Sequence, residues 1–295
     1  MTVTSWRPAL DDAADALRPH ALRARDRLGR ATSEHRALPS VLLVGGQRCG
    51  TTSMYQALVQ QPHVFRPVWR KGVHYFDVAY DRGLPWYRSH FPLRRTLERA
   101  EARHGSAAFC FESSPYYLFH PLAASRIAET LPGVRLVVLV RDPVERACSA
   151  HAHEFARGFE TLTFRDALAA EDDRLAGETE RLVVDAAYSS EAHRHQGYRS
   201  RGEYAPQLER LAQQFGRERI KVVDSHRFFA DPQPVYDDLL CWLGTRAVAP
   251  AVFERHNARS HLPIDEGLRR RLQEHFAPYD DQLTEWLGEP PSWRR

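Results

Sequence analysis

The sequence predicts an α/β fold, a parallel sheet flanked by helices on both faces. Three observations predict it. Short apolar runs at Val41–Val44, Ala107–Phe111, Val134–Val140 and Ile220–Val223 are continuous rather than alternating, as strands covered on both faces should be. Amphipathic stretches follow the strands. The clearest places Tyr204, Leu208, Leu211 and Phe215 at helical spacing, with Gly216 where a helix should stop. Asp142-Pro143 and Asp231-Pro232 each set a capping side chain ahead of a proline at the first helical position. Glu145, three residues after Asp142, makes the first of these resemble a capping box. Alternation of strand and helix is the pattern of a parallel sheet.

The elements follow in order. Residues 1–37 are rich in Ala, Arg and Asp, with leucines at loose helical spacing. They read as a helical lead-in, packed on the body or on a partner subunit of a homo-oligomer. Residues 38–295 read as a single domain, because neither an internal repeat nor a low-complexity linker interrupts them. Within it, residues 77–105 look irregular and residues 157–200 look helical and polar. Both read as insertions that cover a cleft.

Composition sets the outer bounds. The 295 residues are 43% hydrophobic and 27% charged, which excludes a disordered or collagen-like chain. The net charge of +3 suits an anionic ligand but is too small to argue for nucleic acid. Only Lys71 and Lys221 are lysines among 41 basic residues, so a lysine at a site stands against a strong arginine bias. Cys49, Cys110, Cys148 and Cys241 form no C-x-x-C pair and suggest neither a zinc site nor a disulfide framework. Four buried thiols are expected. No apolar run approaches the roughly 20 residues of a spanning helix, and the first residues lack a secretory signal. The expectation is a soluble, cytoplasmic protein without a transmembrane segment.

The strongest local signal is the run from Val41 to Ser53, VLLVGGQRCGTTS. A buried strand enters a glycine-flanked turn that opens a helix. Gly45 and Gly50 are spaced as in a P-loop. Such glycines let successive backbone N–H groups face an anion, and the helix N-terminus behind them adds positive potential. Thr51, Thr52 and Ser53 add hydroxyl donors. The nucleotide-hydrolase form of this turn is G-x-x-x-x-G-K-[ST]. Here Thr51 stands in the lysine position, and the cation lies inside the loop at Arg48. The turn therefore reads as P-loop-type, built for a 5′-phosphate-like group rather than for ATP or GTP hydrolysis. A second strand runs from Arg135 into Arg141-Asp142-Pro143. Arg141 falls at the carboxyl end of that strand, where open α/β sheets bind ligands, and Ser149 lies farther along the helix.

Together the two elements describe one nucleotide held at both ends. On these residues the chain resembles the sulfotransferases that use 3′-phosphoadenosine-5′-phosphosulfate (PAPS), and within them the branch of heparan-sulfate and related carbohydrate sulfotransferases. The resemblance covers roughly residues 39–288. It implies that Arg48, Cys49, Gly50, Thr51, Thr52 and Ser53 hold the 5′-phosphosulfate, through the G-x-x-[KR]-x-G-T-[TS] turn. It implies that Arg141 and Ser149 hold the 3′-phosphate, through R-[DN]-P-x-x-R-x-x-S. Lys71-Gly72-Val73-His74-Tyr75-Phe76 resembles the family's K-E-x-H-[FY]-F, and Glu112-Ser113-Ser114-Pro115 its E-[KS]-[ST]-P. Arg201-Gly202-Glu203-Tyr204 resembles its late helix. A C-terminal donor loop corresponds to Asn257–His261, from which only Arg259 carries over.

Sulfuryl transfer needs cations at the phosphosulfate and a base for the acceptor proton. Arg48 and Lys71 are the expected cations. The resemblance places the base at the glutamate after the lysine, which here is Gly72. Two bases remain, His74 first and Glu112 second. An acidic acceptor, needing little help from a base, is a further alternative. No metal is required. His151 and His153, like His193 and His195, are two apart, which on a helix puts them on different faces. The expected acceptor is the hydroxyl or amine of a small molecule, lipid or carbohydrate. A non-catalytic PAP-binding protein and a P-loop kinase are the other readings.

Overall fold

The structure, a computed structural model, describes residues 26–68, 70–254 and 264–294. Five strands form one sheet: β1 (Val41–Gly45), β2 (Val64–Phe65), β3 (Phe109–Ser113), β4 (Arg135–Val140) and β5 (Ile220–Asp224). Their order is β2-β3-β1-β4-β5, and every pairing is parallel. β1 and β3 are buried at every position and β4 at every position after Arg135, which explains their continuous apolar sequences. The run expected at Ala107 becomes a strand only at Phe109. The two-residue β2 was not expected, because it is too short to show a pattern.

Among the described residues, after the helical stretch at 26–31, the helices are α1 (Thr51–Val59), α2 (Tyr75–Val78), α3 (Leu84–Arg88), α4 (Arg94–His104), α5 (Ala123–Thr130), α6 (Pro143–Ala156) and α7 (Phe164–Ala169). They continue with α8 (Glu171–Leu175), α9 (Glu178–Val184), α10 (Glu191–His195), α11 (Tyr204–Phe215), α12 (Ser225–Ala230), α13 (Pro232–Trp242) and α14 (Glu266–Leu287). The span from 77 to 105, expected to be irregular, holds α3 and α4. α4 buries none of its residues, so it carries no apolar stripe to read. The helix of Tyr204, Leu208, Leu211 and Phe215 is α11, which buries all four and ends at Gly216.

Three smaller expectations change. Asp142 caps α6 as expected, accepting from the Val144 and Glu145 N–H groups. Glu145 does not complete a capping box. Its carboxylate instead accepts from Arg269 at 2.9 Å. Asp231 precedes α13 and its Pro232, yet its side chain makes no capping bond. Of the four cysteines, Cys241 is exposed on α13.

The strand order places the site. From β1 the chain crosses to β2 on one side, and from β4 it crosses to β5 on the other. The carboxyl ends of the adjacent strands β1 and β4 therefore open onto a topological switch point, where such sheets bind ligands.

Candidate active site

The loop between β1 and α1 is curled by two left-handed residues, Arg48 at φ +68° and Gly50 at φ +84°. At Gly50 a side chain is excluded twice over, by that φ and by the Phe229 ring 2.9 Å from where a Cβ would sit. Arg48 has no glycine freedom, so its conformation costs about 1–2 kcal/mol. The surroundings hold it there. The Gly46 N–H donates to the Leu139 carbonyl at 2.6 Å, the Cys49 N–H to the Gly46 carbonyl at 3.2 Å, and the Ser225 hydroxyl to the Cys49 carbonyl.

Arg141 leaves the end of β4 beside this loop. Tyr204, the first residue of α11, ties the two together. Its hydroxyl donates to the Arg141 carbonyl at 2.9 Å and lies 3.4 Å from the Cys49 thiol. Burial pushes the Tyr204 phenol well above its ordinary pKa, and the Cys49 thiol up as well. The Arg48 Nε donates to the Ser149 hydroxyl at 3.0 Å. Two residues assigned to opposite phosphates by the sequence thus meet across the cleft. The Arg141 guanidinium, 35% exposed, stands 3.8 Å from the Glu145 carboxylate.

Lys71 arrives from a segment laid along β3, where the Ser113 N–H donates to the Lys71 carbonyl at 3.1 Å. Its Nζ donates to the Thr52 hydroxyl at 2.9 Å and the Thr51 hydroxyl at 3.1 Å. Burial pushes this lysine down to about 7. At Gly72 a Cβ would stand 2.4 Å from the Ser113 carbonyl oxygen, so no side chain fits there unless the end of β3 moves. His74 sits at φ +57°, with its N–H on the Ser114 hydroxyl at 3.1 Å. Its Nδ1 lies 2.7 Å from the buried Asp77 carboxylate, and its side chain is 32% exposed.

Glu112 lies beneath this segment with no exposed surface. Its carboxylate accepts from the Val73 N–H at 2.6 Å, the Ser114 hydroxyl at 2.8 Å, and the Tyr87 and Tyr117 hydroxyls at 2.9 Å each. Burial raises its pKa, and these four donors oppose the rise. Such a carboxylate is filled with partners and supports the Lys71–His74 segment from inside the core.

The cleft above these elements has a volume of about 510 Å³, within the range of small-molecule sites. It brings together Arg48, Gly50, Thr51, Thr52, Lys71, Arg141 and Ser149. It does not bring Cys49, Ser53, His74 or Glu112 onto its wall. Cys49 and Ser53 are buried behind the loop. Arg259 lies outside the described residues. The wall also includes Ser225, Phe229 and Trp293, which the sequence did not mark. Ser225 and Phe229 follow the end of β5, a position that itself points to a ligand site. Nothing local marks Trp293, which only the return of the chain after α14 places here.

Among the described residues no group of His, Cys, Asp and Glu is arranged to hold a metal. Three histidines of the two spaced pairs have other partners, His151 the Leu162 carbonyl, His193 the Tyr116 hydroxyl and His195 the Glu154 carboxylate, while His153 lies on the cleft wall. Among the described residues no helix is long and apolar enough to cross a membrane.

Residues 38–260 match the family model described as a sulfotransferase domain. The chain belongs to the sulfotransferase family. Human heparan sulfate glucosamine 3-O-sulfotransferase 3B1 is 26% identical over 88% of this chain and 66% of its own length. Human heparan sulfate glucosamine 3-O-sulfotransferase 6 is 28% identical over 88% of this chain and 74% of its own length. The chain thus spans about two thirds to three quarters of the length of these two relatives. A solved sulfotransferase from Alicyclobacillus acidocaldarius is 29% identical, with a TM-score of 0.65 over 88% of this chain and all of that one. This sulfotransferase-family fold accounts for the parallel sheet and for the P-loop-type turn at the end of β1.

Proposed function

We propose that this protein transfers a sulfuryl group from PAPS to a hydroxyl or amine of a carbohydrate-type acceptor. We also read residues 38–295 as one catalytic domain, since the segment after 260 supplies α14 and part of the cleft wall. One observation carries the reading. Two cation-bearing strand ends, at Arg48 and Arg141, open onto one cleft lined by the hydroxyls of Thr51, Thr52 and Ser149. A donor with two separated anionic groups fits this lining, and the donor's activated sulfuryl group supplies the electrophile. The carbohydrate class follows from the named relatives, which act on heparan sulfate.

In this reading Lys71, Arg48 and the loop N–H groups stabilise the charge that grows on the leaving phosphate oxygen. Arg141 and Ser149 hold the second phosphate and fix the donor's direction. The acceptor oxygen forms its bond to sulfur as the bond from sulfur to the phosphate oxygen breaks, in line. The acceptor proton passes to His74, which stands off the donor cleft wall but is 32% exposed, so the acceptor has to approach from its side. Asp77, on the Nδ1 side of that ring, favours the tautomer with Nε2 free to accept. Glu112 positions the segment and takes no proton. The test has two steps. Calorimetry with adenosine 3′,5′-bisphosphate (PAP), ATP and GTP should give binding of PAP alone. Radiolabelled sulfate transfer to glucosamine-containing oligosaccharides should follow. Binding of ATP in preference to PAP, with hydrolysis dependent on Mg²⁺, would replace this reading with a kinase or hydrolase.

A further inference from the structure

We propose that the C-terminal turn at 289–294 forms the base-binding wall of the donor cleft, with the Trp293 ring as the platform for the purine. The inference rests on the reading above in taking the ligand to be an adenosine bisphosphate. The cleft lining divides by chemistry. Arg48, Thr51, Thr52 and Lys71 form one anion-binding corner, and Arg141 and Ser149 form another. The two corners meet where Arg48 donates to Ser149, and the same wall includes α12 and the C-terminal turn, whose Phe229 and Trp293 rings line it. A purine has two flat faces and no charge. It belongs against aromatic rings, where stacking is tolerant of base identity.

The turn is fastened for such a role. α14 ends at Gly288, whose left-handed φ of +75° reverses the chain toward the sheet. Asp224, the last residue of β5, caps α12 by accepting from the His226 N–H at 2.8 Å. The same carboxylate accepts from the N–H and the hydroxyl of Ser292, at 3.0 Å each. Arg227 of α12 pairs with Glu289. The Trp293 Nε1–H donates to the buried Asp280 carboxylate at 2.9 Å. An indole N–H points out in the plane of its ring, so this bond fixes one edge and leaves both flat faces free of it. Attachments to three elements, β5, α12 and α14, thus hold this short segment in place.

Calorimetry on the full chain tests this with two probes, PAP and the base-free ribose 3,5-bisphosphate. Trp293→Ala should weaken PAP binding about 10- to 100-fold and leave the base-free probe within threefold. Trp293→Phe keeps a ring but loses the Asp280 bond, and should retain PAP affinity within about threefold. Unchanged PAP affinity in Trp293→Ala overturns the inference. So does an equal loss for both probes, which would make the turn a support for the phosphate corners. Trp293→Phe behaving like Trp293→Ala also overturns it, because the ring would then matter only through its N–H. A wild-type protein that binds neither probe removes the donor reading and this inference with it, and that result is visible before any variant is made.

Discussion

Lys71 offers the sharpest physical test of the site. Burial moves its amine from an ordinary pKa of 10.5 down to about 7, a desolvation effect of about 5 kcal/mol. Its hydrogen-bond partners are the neutral hydroxyls of Thr51 and Thr52, which do not restore the charge. A phosphate at those hydroxyls would do so. One unit of negative charge about 4 Å away, at an effective dielectric near 20, is worth about 4 kcal/mol, or about three pKa units. The bound lysine should therefore titrate near 10. Because the bound pKa is the higher one, binding takes up a proton wherever the free amine is neutral. PAP affinity should thus be undiminished by this group below pH 7 and fall about tenfold per pH unit between about 7.5 and 9. Calorimetry in Tricine and in Tris, whose ionisation enthalpies differ, measures the uptake directly. It should approach one proton at pH 9. Lys71→Arg keeps a cation that does not titrate in this range, so it should flatten the profile. A flat wild-type profile, or an unchanged slope in Lys71→Arg, would refute the reasoning.

Four other outcomes follow from the same geometry. Arg141→Ala should weaken PAP binding by about 1.5–3 kcal/mol through loss of a charge-assisted bond, and calorimetry that finds no change would detach Arg141 from the second phosphate. His74→Ala and Asp77→Asn should each lower sulfate-transfer turnover with PAP affinity intact, His74→Ala by about 10²-fold or more. Turnover near that of wild type would remove His74 as the base. Glu112→Leu strands the Val73 N–H and three hydroxyls without an acceptor and should cost about 3–5 kcal/mol by urea denaturation. A loss under 1 kcal/mol would contradict its supporting role. Gly72→Glu should destabilise the fold by about 1–3 kcal/mol because its Cβ meets the Ser113 carbonyl. A fully stable variant with faster turnover would show that the end of β3 yields easily and that a carboxylate is wanted there.

Much of this protein is written in short stretches of chain. Strands buried on both faces must be apolar without interruption, so β1 and β4 are visible as runs, and β5, partly exposed at Lys221 and Val222, shows a shorter one. An anion-binding turn needs a strand end, left-handed positions and a helix start within a dozen residues, so the loop around Arg48 is visible too. The cap at Asp142 is likewise a matter of neighbours. What local sequence could not decide is which distant groups meet. Arg48 reaches Ser149, Tyr204 links the loops after β1 and β4, and Trp293 arrives at the cleft from the far end of the chain. Glu112 shows the same limit from the other side. Its type fits a base, but only packing reveals four donors filling its lone pairs. Residue types and local spacing determine what each segment is able to bind. The strand order and the packing of α11, α12 and α14 decide which of those capacities face one another, because that choice depends on contacts between residues that the chain itself holds far apart.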